Sequence, residues 1–113
     1  MTPRICREFY FDAAHYLPNY KGKCENMHGH TYKLEVCVSG KIKGNGMVMD
    51  FNELKGNVEV VMEKLDHKNL NEIFEAPTAE NIAAWIFSEL KKKVVVCSVK
   101  LWEGDGKWVE VTE

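Results

Sequence analysis

Between residues 29 and 41 the chain alternates with period two. His30, Tyr32, Leu34, Val36 and Val38 take one parity, and Thr31, Lys33, Glu35 and Cys37 the other. Successive side chains of a strand point to opposite faces, so this pattern predicts a strand with one buried face. Such a strand needs partners, and the rest of the sequence supplies them. Residues 4–15 repeat the pattern, with Ile5, Phe9, Phe11, Ala13 and His15 on one parity and Arg7 as the exception. LPNYKGKCEN, between the two, has loop composition. The β-branched run VVVCSVKLW at 94–102, the turn Gly104-Asp105-Gly106 and Trp108 to Thr112 read as a second hairpin.

Two helices are predicted between the hairpins. Asp50 with Glu53 three residues on is a helix-start signal, followed by Leu54, Val58, Val61, Met62 and Leu65 at helical spacing. Thr78 can cap the second, which carries Ile82, Ile86, Phe87 and Leu90 on its buried side. DHKNLNEIFEAP between them reads as an irregular connection. The order ββααββ gives an α+β fold, a four-stranded antiparallel sheet with both helices on one face. The 113 residues form a single domain, residues 1–113. A domain this small leaves apolar surface exposed and is suited to self-association.

The net charge of -2, without a Lys/Arg block, argues against nucleic acid or an acidic membrane as partner. Lys91-Lys92-Lys93 is the longest basic run and suits the negative end of a helix dipole. MTPRICREF carries no signal-peptide core, and no apolar stretch is long enough for a bilayer. A cytoplasmic protein is expected. The four cysteines, Cys6, Cys24, Cys37 and Cys97, are accordingly expected as free thiols. All but Cys24 lie in strand-like segments, where a cysteine serves as a small hydrophobe.

His28-Gly29-His30 puts two imidazoles on one face of a strand start. His15 ends the first strand, on the parity of Phe9, Phe11 and Ala13, and a hairpin would bring it to the other two. Three neutral imidazoles with an open position make a catalytic zinc arrangement. The plainer reading has His28 and His30 as polar residues bonded to backbone. Cys24, four residues before His28, reads either as a fourth zinc ligand or as a thiol base or nucleophile, and spacing leaves both open. Asp66-His67 after the first helix suits either helix-end chemistry or acid–base work. Glu80 favours a helix start by dipole alone, and Glu103 closes a strand where acids are usually solvated.

FDAAHYLP, the C-x3-H-G-H of Cys24 to His30, GMVMDFNELK, LDHKNLN, PTAENIA and the strand ending in Glu103 together resemble the 6-pyruvoyl/6-carboxytetrahydropterin synthase family, over nearly the whole chain. The resemblance implies the tunnelling fold (T-fold), an oligomeric barrel built from such sheets, with hexamers of two stacked trimers and sites at subunit boundaries. It implies zinc on His15, His28 and His30, a catalytic thiol at Cys24, and proton transfer by Asp66 and His67, from a neighbouring subunit where the site is shared. Glu103 would anchor the pterin, beside Thr78 and Glu80. Ala79 departs from the eukaryotic pattern, where a second hydroxyl residue is usual.

The activity implied is a zinc-dependent lyase. It would turn 7,8-dihydroneopterin triphosphate into 6-carboxy-5,6,7,8-tetrahydropterin, acetaldehyde and triphosphate, in queuosine biosynthesis. Glu25, next to Cys24, resembles the acid of paralogues that make 6-hydroxymethyl-7,8-dihydropterin for folate, so a folate-route or dual-function synthase is the alternative. As a bland reading Glu25 is a solvated loop acid. The 6-pyruvoyl-forming reaction ranks lower, since the short Cys24–His28 spacing resembles the bacterial loop. A zinc-stabilised binding domain is the non-enzymatic rival.

Overall fold

The alternation over 30–38 becomes the centre of the sheet. A computed structural model describes residues 1–17 and 26–113. Its strands are β1 (Arg4–His15), β2 (His28–Ser39), β3 (Val96–Glu103) and β4 (Trp108–Thr112), in the order β1-β2-β3-β4 and antiparallel throughout. The helices α1 (Phe51–Met62) and α2 (Ala79–Lys91) lie between β2 and β3 in the chain, with a short 3-10 turn at Leu70–Glu72. This is the expected ββααββ arrangement.

Both helices cover one face of the sheet. Tyr32, Leu34 and Val36 of β2 are fully buried there, with Leu54 and Val58 of α1 and Ile82, Ile86 and Leu90 of α2. The expected helical faces are therefore the observed ones. Arg7, on the buried parity of β1, donates from its guanidinium to the Phe51 carbonyl (2.9 Å), so its stem lies over the core rim while its head is satisfied. The other face of the sheet carries polar and aromatic groups, such as Tyr10 and Trp108, with the Lys33 ammonium 4.6 Å from the Trp102 ring centre.

The helix starts follow the capping logic. Asp50 accepts the Asn52 N–H at 2.6 Å, and Thr78 accepts the Asn81 N–H at 3.1 Å. β3 begins two residues later than the β-branched run suggests. The Lys93 and Val94 N–H groups both donate to the Leu90 carbonyl at 2.9 Å, so the end of α2 claims them before the sheet can. Gly104 (φ 73°) and Gly106 (φ 79°) take the left-handed backbone that the β3–β4 turn requires.

The expectation of free thiols fails for one pair. Cys6 and Cys37 form a disulfide, because the β1–β2 register sets them directly opposite one another, 4.1 Å apart at Cα. Cys37 is fully buried and Cys6 is exposed, while Cys97 is free and half-buried. Among the described residues no helix is long and apolar enough to cross a membrane.

Replacing the α1 cap, Asp50→Ala, should cost about 1 kcal/mol. Chemical denaturation should show a lower midpoint with an unchanged slope.

Candidate metal centre and active site

The β1–β2 hairpin assembles the histidines. His15 lies opposite His28, and Ala13 opposite His30, so all three imidazoles enter one corner on the helix side of the sheet. Their rings stand edge to face in pairs, 4.6–4.8 Å between centres. One ligand atom from each lies within 4.8 Å of the others.

The surroundings fix which nitrogens face inward. His15 Nδ1 is 2.9 Å from the Pro77 carbonyl, and His28 Nδ1 is 2.7 Å from the Asn26 carbonyl. A carbonyl only accepts, so each Nδ1 carries the proton and each Nε2 presents a bare lone pair. Those two Nε2 atoms are 3.2 Å apart with no proton between them. His30 Nε2 is buried without a hydrogen-bond partner. Converging lone pairs beside a carboxylate make a group that could hold a cation. Two nitrogens bound to a tetrahedral zinc at about 2.0–2.1 Å lie about 3.3 Å apart, so the donor set fits zinc.

Burial holds His15 below the ordinary imidazole range, against the Glu103 charge and the Pro77 carbonyl, which pull it up. Burial lowers His30 in the same way, again opposed by Glu103. Both shifts favour the neutral, ligating form.

Glu103 reaches the triad from the end of β3. Its carboxylate is 3.3 Å from His30 Nε2 and 3.8 Å from His15 Nε2. It also lines a cavity of about 480 Å³ with Thr78, Ala79, Glu80 and Lys107. The structure thus brings together six of the residues singled out in the sequence: His15, His28, His30, Glu103, Thr78 and Glu80.

Asp66 and His67 lie outside that cavity. They run along the outer edge of β1, where the Asp12 N–H donates to Asp66 Oδ1 (3.0 Å) and the His67 N–H donates to the Asp12 carbonyl. His67 adopts a left-handed φ of 59° and its side chain is exposed, 3.1 Å from Asp66. Among the described residues no hydrogen bond or ion pair joins either to the triad. His67, but not Asp66, lines a second groove of about 500 Å³ with Gly29, His30 and Thr31. The Asp12 amide, then the His67 ring, holds the Asp66 carboxyl below its usual range. Cys24 and Glu25 lie outside the described residues.

Two contributors escaped the sequence reading. Tyr32 reads as core by its parity, yet its hydroxyl is 3.1 Å from His15 Nδ1. Burial, then the Glu103 charge, raises its pKa far above the usual phenol value, so it stays neutral. The Pro77 carbonyl is backbone and leaves no side-chain signal.

His28→Ala should weaken zinc binding by more than about 100-fold, beyond what loss of an outer partner costs, in a competition titration with a chromogenic chelator. Asp66 is depressed in the folded state, so its contribution is present above the ordinary carboxylate range and is lost as pH falls through its folded value. The stability difference between wild type and Asp66→Asn should therefore shrink below about pH 4, read from urea midpoints across pH.

Comparison with known proteins agrees with this geometry. The family model described as 6-pyruvoyl tetrahydropterin synthase matches residues 4–113. A protein of Archaeoglobus fulgidus, provisionally named 6-carboxy-5,6,7,8-tetrahydropterin synthase, is 52% identical over 89% of this chain and 88% of its own. The dihydroneopterin monophosphate aldolase of Pyrococcus furiosus is 45% identical over 98% of both chains. The Caenorhabditis elegans 6-pyruvoyl tetrahydropterin synthase structure superposes with a TM-score of 0.90 at 29% identity, over 100% of this chain and 96% of its own. With the match running through the histidine corner, both helices and the Glu103 strand, the chain belongs to the 6-pyruvoyl tetrahydropterin synthase family.

Proposed function

We propose that this protein is a zinc-dependent 6-carboxy-5,6,7,8-tetrahydropterin synthase acting on 7,8-dihydroneopterin triphosphate, with acetaldehyde and triphosphate as the other products. Its class, a lyase of the tetrahydropterin-synthase type, follows from its relatives, which include the Haemophilus influenzae 6-carboxy-5,6,7,8-tetrahydropterin synthase at 37% identity over 97% of this chain. The observation that supports the finer reading is the cluster of three imidazoles beside Glu103, whose carboxylate also lines a cavity large enough for a bicyclic ring.

The Glu103 carboxylate accepts two parallel N–H groups from the amidine-like edge of the pterin, which fixes the ring in the cavity. Thr78 and Glu80, in the first turn of α2, line the same wall. Held by His15, His28 and His30, zinc would act as a Lewis acid on the side-chain oxygens of the substrate. The Cys24 thiolate takes a proton from the substrate side chain, and His67, oriented by Asp66, moves one on the other face. His67 is bonded along the outer edge of β1 with its side chain exposed, and we assign it to the triad of a neighbouring copy. That assignment requires a homo-oligomer, a hexamer in the family pattern, with the outer edges of β4 and of β1 before Asp12 available for pairing. The setting we assign is the cytoplasm and the pathway that of queuosine.

A second reading has specific support. The Pyrococcus furiosus relative matches 98% of this chain and is named an aldolase for dihydroneopterin monophosphate. Glu25, next to Cys24, offers a carboxylate base of different strength and reach. Such a base directs the chemistry to 6-hydroxymethyl-7,8-dihydropterin.

Anaerobic incubation of the zinc-loaded protein with dihydroneopterin triphosphate, followed by mass spectrometry and an acetaldehyde assay, separates the two. 6-Carboxytetrahydropterin with acetaldehyde is expected, with turnover lost and zinc retained in Cys24→Ala. A 6-hydroxymethyl product that disappears in Glu25→Gln would put the aldolase reading first. Zinc lost from Cys24→Ala would make the thiol a ligand and remove its role as base.

A further inference from the structure

His15 is the deepest member of the triad, fully buried, and its outward nitrogen faces two oxygens. Nδ1 is 2.9 Å from the Pro77 carbonyl and 3.1 Å from the Tyr32 hydroxyl. The carbonyl requires a proton on Nδ1. The Tyr32 oxygen, also fully buried, is then a second acceptor for the same N–H. Two acceptors on different elements constrain the ring plane as well as the tautomer. Pro77 alone would fix the N–H···O line but not the rotation of the ring about it.

Tyr32 is itself held rigidly. Its ring stacks on Phe11 with 5.0 Å between centres, and its backbone pairs with Glu103 across β2 and β3. Pro77 precedes Thr78, the cap of α2. The contacts around His15 Nδ1 therefore join the metal corner to the two elements that wall the Glu103 cavity.

We propose that the Tyr32 hydroxyl is a positioning group for the metal centre, fixing the His15 ring so that Nε2 faces the cation. This rests on the zinc site of the reading above. Histidine ligands commonly owe their orientation to such an outer partner, whose loss typically costs about 10–100-fold in metal affinity. With the Pro77 carbonyl retained, the lower end is expected.

Tyr32→Phe removes only the hydroxyl and keeps the stacking on Phe11. Zinc affinity should be measured by chelator competition on wild type and Tyr32→Phe, beside the thermal midpoints of both metal-free proteins. A dissociation constant raised about 10-fold, with a metal-free midpoint close to wild type, supports the inference. A constant within about twofold of wild type overturns it, whatever the midpoint does. Wild-type protein that binds no zinc removes the underlying metal reading instead, and the inference with it. A measurement on wild type alone guards against misfolding of the variant. Long-range proton–nitrogen correlation spectra of the metal-free protein should show His15 protonated at Nδ1, and a proton on Nε2 would overturn the assignment.

Discussion

The register between β1 and β2 is the constraint on which the site depends. It sets His15 against His28 and Ala13 against His30. A slip of β1 by one residue would turn His15 to the other face, together with Phe9 and Phe11. Burial of those rings beside Tyr32 and Leu34 therefore holds the metal corner together. The same burial desolvates His15 and His30 and keeps them neutral, the form that binds a cation.

Much of this was legible from residue order. Alternation over 30–38 predicted the buried face of β2, and the caps at Asp50 and Thr78 marked both helix starts, because each signal is local. The convergence of His15 on His28 and His30 needed only one long-range assumption, a hairpin. The Cys6–Cys37 bond was missed because it depends on the register of residues 31 apart, while a cysteine in a strand pattern looks like any small hydrophobe. Tyr32 was read as core for a similar reason. Parity reports where a ring is buried, not where its hydroxyl ends. The Pro77 carbonyl carries no side-chain pattern at all.

The site divides along the sheet. Glu103 joins the triad to the cavity of Thr78 and Glu80, whereas Asp66 and His67 are bonded along the outer edge of β1, with His67 in a left-handed conformation. A chain that keeps Asp66 and His67 on an edge and its three histidines on the helix side suits the proposed reaction centre completed by a second copy. The small size of the domain and the unpaired outer edge of β4 point the same way.

Zinc K-edge X-ray absorption on the purified, zinc-loaded protein tests the central claim most directly. Three imidazole nitrogens at about 2.0–2.1 Å, with oxygen and no sulfur beside them, are the predicted first shell. A sulfur scatterer near about 2.3 Å would contradict it. The metal would then be closed by a cysteine, and the open position that the proposed lyase chemistry requires would be gone.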